Sequence, residues 1–216
     1  MKIESFPRKL FLFRNNLCMF AQTQNELHNM KHMSILAVSL LALVACTPEK
    51  KQEADYSQYV NPMIGTDFTG NTYPGAQLPF GMVQLSPDNG LPGWDRISGY
   101  FYPDTTIAGF SHTHLSGTGA GDLYDISFMP VTRPYKEAPA PLGIYSTFSH
   151  NDEAASAGYY RVLLKDYNIN VELTATERCG IQRYTFPEAE ASVFLNLKKA
   201  MNWDFTLDSK IEVVDS

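Results

Sequence analysis

Proline and glycine recur so densely between residues 62 and 99 that this stretch leaves no room for a helix of useful length. A proline removes a backbone donor and clashes with the preceding helical turn, and glycine punctuates regular structure. The stretch is therefore predicted to consist of short strands joined by turns. The breakers are Pro62, Gly65, Gly70, Pro74, Gly75, Pro79, Gly81, Pro87, Gly90, Pro92, Gly93 and Gly99.

Further along, apolar and polar residues alternate over residues 169–176. Ile169, Val171, Leu173 and Ala175 fall on one face and polar residues on the other, which is the period-two pattern of a strand with one dry face. Strands at roughly 10-residue spacing favour an antiparallel sheet over a parallel α/β sheet. The predicted fold class is all-β, an antiparallel β-sandwich. Similar strand patterns span residues 159–165, 181–186, 192–197 and 210–214.

The final residues, 207–216, carry a strand pattern with no sequence after it. A sandwich does not usually stop on an exposed strand, because an open edge invites misassembly. We therefore expect the domain to be truncated at its C-terminus.

The net charge of the chain is −6. Residues 1–45 contain five Lys or Arg and two Asp or Glu, a net of +3, which leaves −9 for residues 46–216. Phosphate binding needs a basic surface, so nucleic acid is excluded as a partner. A neutral ligand such as a sugar suits this charge better.

A short basic start, Met30-Lys31-His32, precedes an apolar run over residues 35–45. This is the layout of a secretory signal peptide, and the run is shorter than the roughly 20 residues that a membrane-spanning helix requires. The alternative is a buried core helix, but the run lacks polar spacing. Export is therefore predicted, with residues 30–45 as the signal peptide and residues 1–29 as an overrun upstream of the true start.

The apolar run ends in Leu43-Val44-Ala45-Cys46, which resembles a bacterial lipobox. In such signals the cysteine becomes the mature N-terminus and carries acyl chains, so Cys46 is predicted to be the lipidation site. Residues 46–58 then form a polar tether between membrane and domain. Cys18 would be discarded with the leader, and the mature protein would keep Cys179 as its one free thiol.

The region richest in candidate ligands is residues 109–125. His112 and His114 are two residues apart, so on a strand both point to the same side. Three interpretations follow: a pair of buried histidines with satisfied hydrogen bonds, donors to sugar hydroxyls, or a metal site completed by Asp122 or Asp125.

Three alternate glycines, Gly117, Gly119 and Gly121, follow the two histidines. Their spacing does not match the dinucleotide-binding fingerprint, and no helix pattern follows that could receive a phosphate. A nucleotide site is therefore rejected. Such glycines let the backbone approach a ligand or another domain closely.

Trp94 and Asp95 lie in a loop rich in glycine and proline. The indole ring can cover the apolar face of a pyranose, and the carboxylate can accept hydrogen bonds from its hydroxyls. The alternative is that Trp94 merely caps the sandwich, and Trp203 is interpreted as core or interface.

A glycosidase needs two carboxyl groups flanking the scissile bond. No pair can be chosen among the candidates Asp88, Asp95, Asp104, Asp122 and Asp125.

A series of unusual segments follows in order along residues 59–216. They are Asn-Pro-Met-Ile-Gly-Thr at 61–66, Thr-Tyr-Pro-Gly-Ala at 72–76, residues 79–88, Gly-Trp-Asp at 93–95, Ser-Gly-Tyr at 98–100, residues 109–119, 157–160, 172–176 and 183–187. Together they resemble glycoside hydrolase family 92. The resemblance implies a calcium-dependent, inverting exo-α-mannosidase that trims mannose from the N-glycans of glycoproteins. It also implies an N-terminal β-sandwich paired with a larger (α/α)6-barrel.

The resemblance also implies that the catalytic acid and base, and most calcium ligands, belong to the helical barrel. No residue of this chain matches them, so no catalytic residue and no metal ligand is assigned here, and a separate metal site on the two histidines loses support. The sandwich lends loops to the sugar pocket. The carbohydrate-binding positions carried over are Trp94, Asp95, His112, His114, Ser116 and Gly119.

The chain is thus expected to be the lipid-anchored, N-terminal sandwich of an α-mannosidase-like enzyme in the bacterial cell envelope. Its expected partners are mannose-containing glycans and its own missing C-terminal barrel, whose absence would leave an apolar interface exposed. The rival hypothesis is a stand-alone carbohydrate-binding lipoprotein without hydrolytic activity. An open reading frame continuing beyond Ser216 into helical repeats would favour the enzyme.

Overall fold

Thirteen strands and three short 3₁₀ helices form the regular structure of the computed structural model, which describes residues 54–117, 119–197 and 206–214. Within these residues no helix is long and apolar enough to cross a membrane. The 3₁₀ helices are Ser57–Tyr59, Trp94–Arg96 and His150–Asp152. The strands are β1 (Ala76–Gln77), β2 (Gln84–Asp88), β3 (Thr106–Ile107), β4 (Gly109–Ser111), β5 (Ser127–Thr132), β6 (Glu137–Ala138), β7 (Gly143–Ile144), β8 (Ser146–Thr147), β9 (Glu153–Ser156), β10 (Tyr159–Leu164), β11 (Ile169–Ala175), β12 (Gly180–Thr185) and β13 (Ala191–Asn196).

Two antiparallel sheets dominate the architecture. One has the strand order β1-β2-β4-β5-β13 and the other the order β12-β11-β10-β9. Apolar side chains from both sheets, such as Leu85 and Phe110 from one and Val162 and Val171 from the other, belong to a single buried cluster. Two sheets that share one core make a β-sandwich, which confirms the predicted fold class.

Strand β11 follows the alternation that its sequence predicts. Ile169, Val171 and Leu173 are fully buried and Ala175 is nearly so. Three other predicted strands are confirmed with ends displaced by about one residue, as β10, β12 and β13. Period-two burial therefore governs this sandwich, as expected where one face of each sheet packs on a core.

The predicted strand at residues 210–214 is wrong. These residues form no strand, and Ile211, Val213 and Val214 are exposed by 60, 80 and 90%. A strand needs a neighbouring strand to satisfy its backbone groups, and alternation alone does not supply one.

Other predictions lie outside the described residues. They are the leader, the lipobox, the tether up to residue 53, and Trp203.

A buried carboxylate joins the second sheet to the loop before β3. Glu153 accepts hydrogen bonds from the hydroxyls of Tyr100 at 2.9 Å and Tyr160 at 2.6 Å, and its carboxylate lies 2.6 Å from Nδ1 of His150. The other His150 nitrogen donates to the Tyr102 carbonyl at 2.7 Å, and the His150 and Tyr102 rings stack with centroids 3.9 Å apart. Burial, together with the Glu153 charge, raises the pKa of Tyr100.

Several large apolar side chains near the start of the described domain face solvent. Ile64, Phe68 and Met82 are exposed by 72, 80 and 70%, and Phe80 is fully exposed. Phe80 also adopts a left-handed backbone conformation with φ of 61°, which bulky residues rarely do. The loops that carry these side chains therefore present apolar surface to their surroundings.

Candidate functional site

Trp94 stands outside the core, on the loop that joins β2 to β3. It begins the 3₁₀ helix Trp94–Arg96, which follows Gly93 at a φ of 149°. The Trp94 side chain is 58% exposed, and the neighbouring Asp95 is half-buried. An indole presented in this way offers a flat apolar face to a ligand.

A bidentate ion pair fixes the end of this turn. Nε and Nη2 of Arg96 donate to the two carboxylate oxygens of Asp104 at 2.6 and 2.5 Å, and the guanidinium lies 4.7 Å from the centroid of the Phe101 ring. The hydrogen bonds to Asp104 raise the pKa of Arg96. Asp104, one of the five candidate acids, is thus a buried partner of Arg96.

The glycine-rich loop passes directly beside Trp94. A Cβ atom placed on Gly119 would lie 3.2 Å from Cη2 of the Trp94 indole, which is tighter than ordinary van der Waals contact. The backbone N–H of Gly117 donates to the Asn71 carbonyl at 2.6 Å and holds the loop on its other side. The structure therefore brings Trp94 and Gly119 together, with Ser116 exposed on the same loop.

His114 lies behind this loop with both ring nitrogens engaged. It is 3% exposed, and Nδ1 donates to the Gln84 carbonyl at 2.7 Å. Nε2 lies 3.0 Å from Oδ1 of Asp88 and 3.1 Å from Oγ of Ser111. His114 thus matches the first of the three interpretations, a buried histidine whose hydrogen bonds are satisfied. Asp88, a second candidate acid, is its buried partner.

His112 has a different set of neighbours. It is half-buried, donates from Nδ1 to the Ile126 carbonyl at 2.8 Å, and meets the Phe128 ring edge-on. It lines a cleft of about 280 Å³ between strands of the two sheets. The expectation that both histidines share one side of a strand is wrong, because β4 ends at Ser111. The residues lining the cleft are His112, Phe128, Gly180, Gln182, Tyr184 and Val193.

The structure does not complete a metal site around the two histidines. Asp122 caps the backbone N–H of Leu123 at 2.7 Å, and Asp125 accepts from the Thr113 hydroxyl at 3.1 Å. Among the described residues, no three His, Cys, Asp or Glu side chains come together where they could hold a metal ion. Within the described residues, Asp122 and Asp125 thus do not complete a calcium site with the two histidines.

The segment that backs the glycine-rich loop is strained in a way the sequence does not reveal. Leu123, Tyr124 and Ile126 adopt left-handed backbone conformations with φ of 80, 68 and 54°. Each such residue costs on the order of 1–3 kcal/mol and persists only where its surroundings impose the conformation. The imposing contacts are the buried Tyr124 ring, whose hydroxyl donates to the Ile97 carbonyl, and backbone hydrogen bonds to residues 112 and 113. Because the segment contains no glycine, nothing in the sequence indicates its left-handed backbone.

Comparison with known proteins identifies the class of this sandwich. A curated relative, described as an uncharacterised secreted glycosidase of Arthroderma benhamiae, is 27% identical over an alignment of 172 residues that covers 75% of this chain and 21% of the relative. The chain is therefore homologous to glycosidases. The model of the glycosyl hydrolase family 92 N-terminal domain matches residues 59–216. The chain belongs to glycoside hydrolase family 92.

Solved structures of family 92 α-mannosidases share the fold. One from Bacteroides thetaiotaomicron, in complex with mannoimidazole, is 44% identical with a TM-score of 0.64 over 68% of this chain and 20% of that chain. An inverting mannosidase from Bacteroides thetaiotaomicron VPI-5482 is 30% identical with a TM-score of 0.54 over 66% of this chain and 20% of that one. The chain thus spans about a fifth of the length of these relatives.

Proposed function

We propose that this chain supplies one wall of the mannose pocket of an α-mannosidase-like enzyme that acts on mannose-containing N-glycans of glycoproteins. The observation that carries the proposal is the exposed Trp94 indole with the backbone of Gly119 against its edge. A homologue bound to mannoimidazole, a mannose-like ligand, supports sugar as the ligand class.

In this proposal the indole of Trp94 covers the apolar C–H face of a mannose ring. The Asp95 carboxylate accepts hydrogen bonds from sugar hydroxyls, and Ser116 adds a hydroxyl on the facing loop. Gly119 is required because a side chain there would press on the indole at 3.2 Å. His114 supports the loop from within, since its ring is buried and its nitrogens are engaged.

His112 is proposed to contact a ligand through Nε2. Because Nδ1 carries the proton given to the Ile126 carbonyl, Nε2 of a neutral ring is left as an acceptor. The cleft that it lines is mostly apolar, with Phe128 and Val193 among its walls. A sugar hydroxyl donating to Nε2 with its C–H groups against those walls fits this chemistry.

The exposed apolar loops are proposed to pack against a helical barrel domain. Relatives are about five times the length of the matched region, and Ile64, Phe68, Phe80 and Met82 are exposed by 70% or more. Removing apolar surface from water is favourable by roughly 25 cal/mol per Å². Calcium, expected for the whole family enzyme, is proposed to be held mainly by residues outside this chain.

The chain alone is proposed to lack hydrolytic activity because the acid and base would come from the barrel. Two of the candidate acids already have partners within the sandwich: Asp88 lies beside His114, and Asp104 forms an ion pair with Arg96. The test is incubation of the purified chain with an aryl α-mannoside and calcium. No turnover is expected, and turnover that disappears in an Asp95→Asn or Asp122→Asn variant would refute the proposal.

Export and lipid anchoring at Cys46 are proposed on the signal-peptide pattern and on the description of one relative as secreted. Mass spectrometry of the protein from bacterial membranes is expected to show a diacyl- or triacyl-modified N-terminal cysteine. Recovery of an unmodified chain that still contains residues 1–29 would contradict this part of the proposal.

A further inference from the structure

The loop that presents Trp94 has little regular structure of its own. Its 3₁₀ helix is three residues long, and the backbone bonds that close it run from Arg96 N–H to the Gly93 carbonyl and from Gly99 N–H to the Arg96 carbonyl, each 3.0 Å. One isolated helical turn is unstable in water, because fixing its backbone dihedrals outweighs a single hydrogen bond. The orientation of the indole must therefore depend on contacts beyond this turn.

The ion pair of Arg96 with Asp104 connects the turn to the buried part of the loop. Asp104 is 8% exposed, and its backbone N–H donates to the Phe101 carbonyl at 2.9 Å. The Phe101 N–H in turn donates to the side chain of Asn89, which is fully buried, at 2.5 Å. A continuous series of hydrogen bonds thus runs from the Trp94 turn into the core.

The guanidinium geometry explains why arginine serves here. A planar fork donates two parallel hydrogen bonds to one carboxylate and can lie over an aromatic ring at the same time. Arg96 makes both contacts, with Asp104 and with the Phe101 ring. A lysine would retain the charge but could make only one of the two directed bonds.

We infer that Arg96 and Asp104 are positioning residues, which hold the Trp94 indole in the orientation that meets a mannose ring. The inference rests on the proposed function of Trp94 as a sugar contact. It assigns a role to two charged residues that bind each other and are largely buried.

A second ion pair in the same chain provides a matched control. Arg183 donates to Glu172 through the same two atoms, Nε and Nη2, at 2.6 and 2.5 Å. This pair lies across β11 and β12, and its arginine is 72% exposed. An Arg183→Met variant therefore removes a bidentate pair of equal geometry without touching the Trp94 loop.

The first experiment is free of sugar and follows the indole directly. In the full chain with Trp203→Phe, Trp94 is the single tryptophan, and its fluorescence anisotropy and acrylamide quenching report its mobility and access. Arg96→Met and Asp104→Asn are expected to lower the anisotropy and increase quenching, with Arg96→Lys intermediate. Arg183→Met should match the parent. Circular dichroism spectra equal to the parent's establish that each variant is folded.

The second experiment measures transfer of saturation to methyl α-D-mannopyranoside by NMR. Arg96→Met is expected to weaken binding by roughly tenfold, since charge-assisted hydrogen bonds are each worth at least that factor. If the parent binds the mannoside and folded Arg96→Met and Asp104→Asn bind it equally well with unchanged indole mobility, the inference is overturned. If the indole is mobilised but the parent shows no binding, the positioning role stands and the proposed sugar contact fails.

Discussion

Replacing Gly99 by alanine tests how tightly the polar core behind the candidate site is packed. Gly99 has a φ of +89°, and a Cβ atom there would lie 2.8 Å from Oδ1 of Asp88, 3.0 Å from Cδ2 of His114 and 3.1 Å from Cε1 of Tyr124. The left-handed backbone costs an alanine about 1–2 kcal/mol, and overpacking a filled core adds roughly 1–3 kcal/mol. Gly99→Ala is therefore expected to lower the free energy of unfolding by about 2–5 kcal/mol.

Gly158→Ala separates the two contributions. Gly158 has a similar φ of +72°, but nothing lies within 4 Å of an added Cβ, so only the backbone penalty of about 1–2 kcal/mol applies. Urea unfolding of both variants, followed by circular dichroism, gives the difference in free energy. We expect Gly99→Ala to be the less stable by about 1–3 kcal/mol. Losses that agree within about 0.5 kcal/mol, the usual scatter between such variants, would refute the packing argument.

Three further predictions concern Tyr73, His150 and Gly180. Burial raises the pKa of Tyr73 from 10.0 to about 12, so the folded state keeps a proton that the unfolded state loses and stability falls as pH rises above about 10. Because the chain has 12 tyrosines, the check is a 295 nm titration of the parent against Tyr73→Phe: the difference should appear well above pH 10, and a difference centred at pH 10 would contradict the prediction. His150→Phe keeps a ring but removes the Nε2 donor to the Tyr102 carbonyl and the Nδ1 contact with buried Glu153, which is expected to cost about 1–3 kcal/mol in a urea melt, whereas an unchanged melt would contradict the assignment. Gly180→Ala places a Cβ 2.6 Å from Cδ2 of His112, so the imidazole resonances in NMR spectra should shift, and unchanged resonances would contradict the cleft geometry.

The sandwich could be predicted from its sequence because burial in β11 follows the residue-by-residue alternation. Alternation does not fix register, however. Ile181 lies opposite Thr174 in the ladder, on the outward face, and is 54% exposed although apolar. The same limit explains residues 210–214, whose alternation is clear but which pair with no other strand among the described residues.

The sequence shows the candidate residues but not their arrangement. A tryptophan in a glycine- and proline-rich loop and a glycine-rich segment are visible in the sequence, whereas the proximity of Trp94 to Gly119 is visible only in the structure. The spacing of His112 and His114 predicts a shared face only within a strand, and β4 ends before either residue. The pair of Arg96 with Asp104 spans eight residues of irregular loop, where no periodicity indicates contact.

Saturation-transfer NMR on the purified chain shows directly whether Trp94 contacts mannose. With methyl α-D-mannopyranoside, transfer from aromatic protons to the sugar ring protons is expected in the parent and in Trp203→Phe. The transfer should be lost in Trp94→Ala. Equal transfer in the Trp94→Ala protein, or none in the parent, would contradict the account.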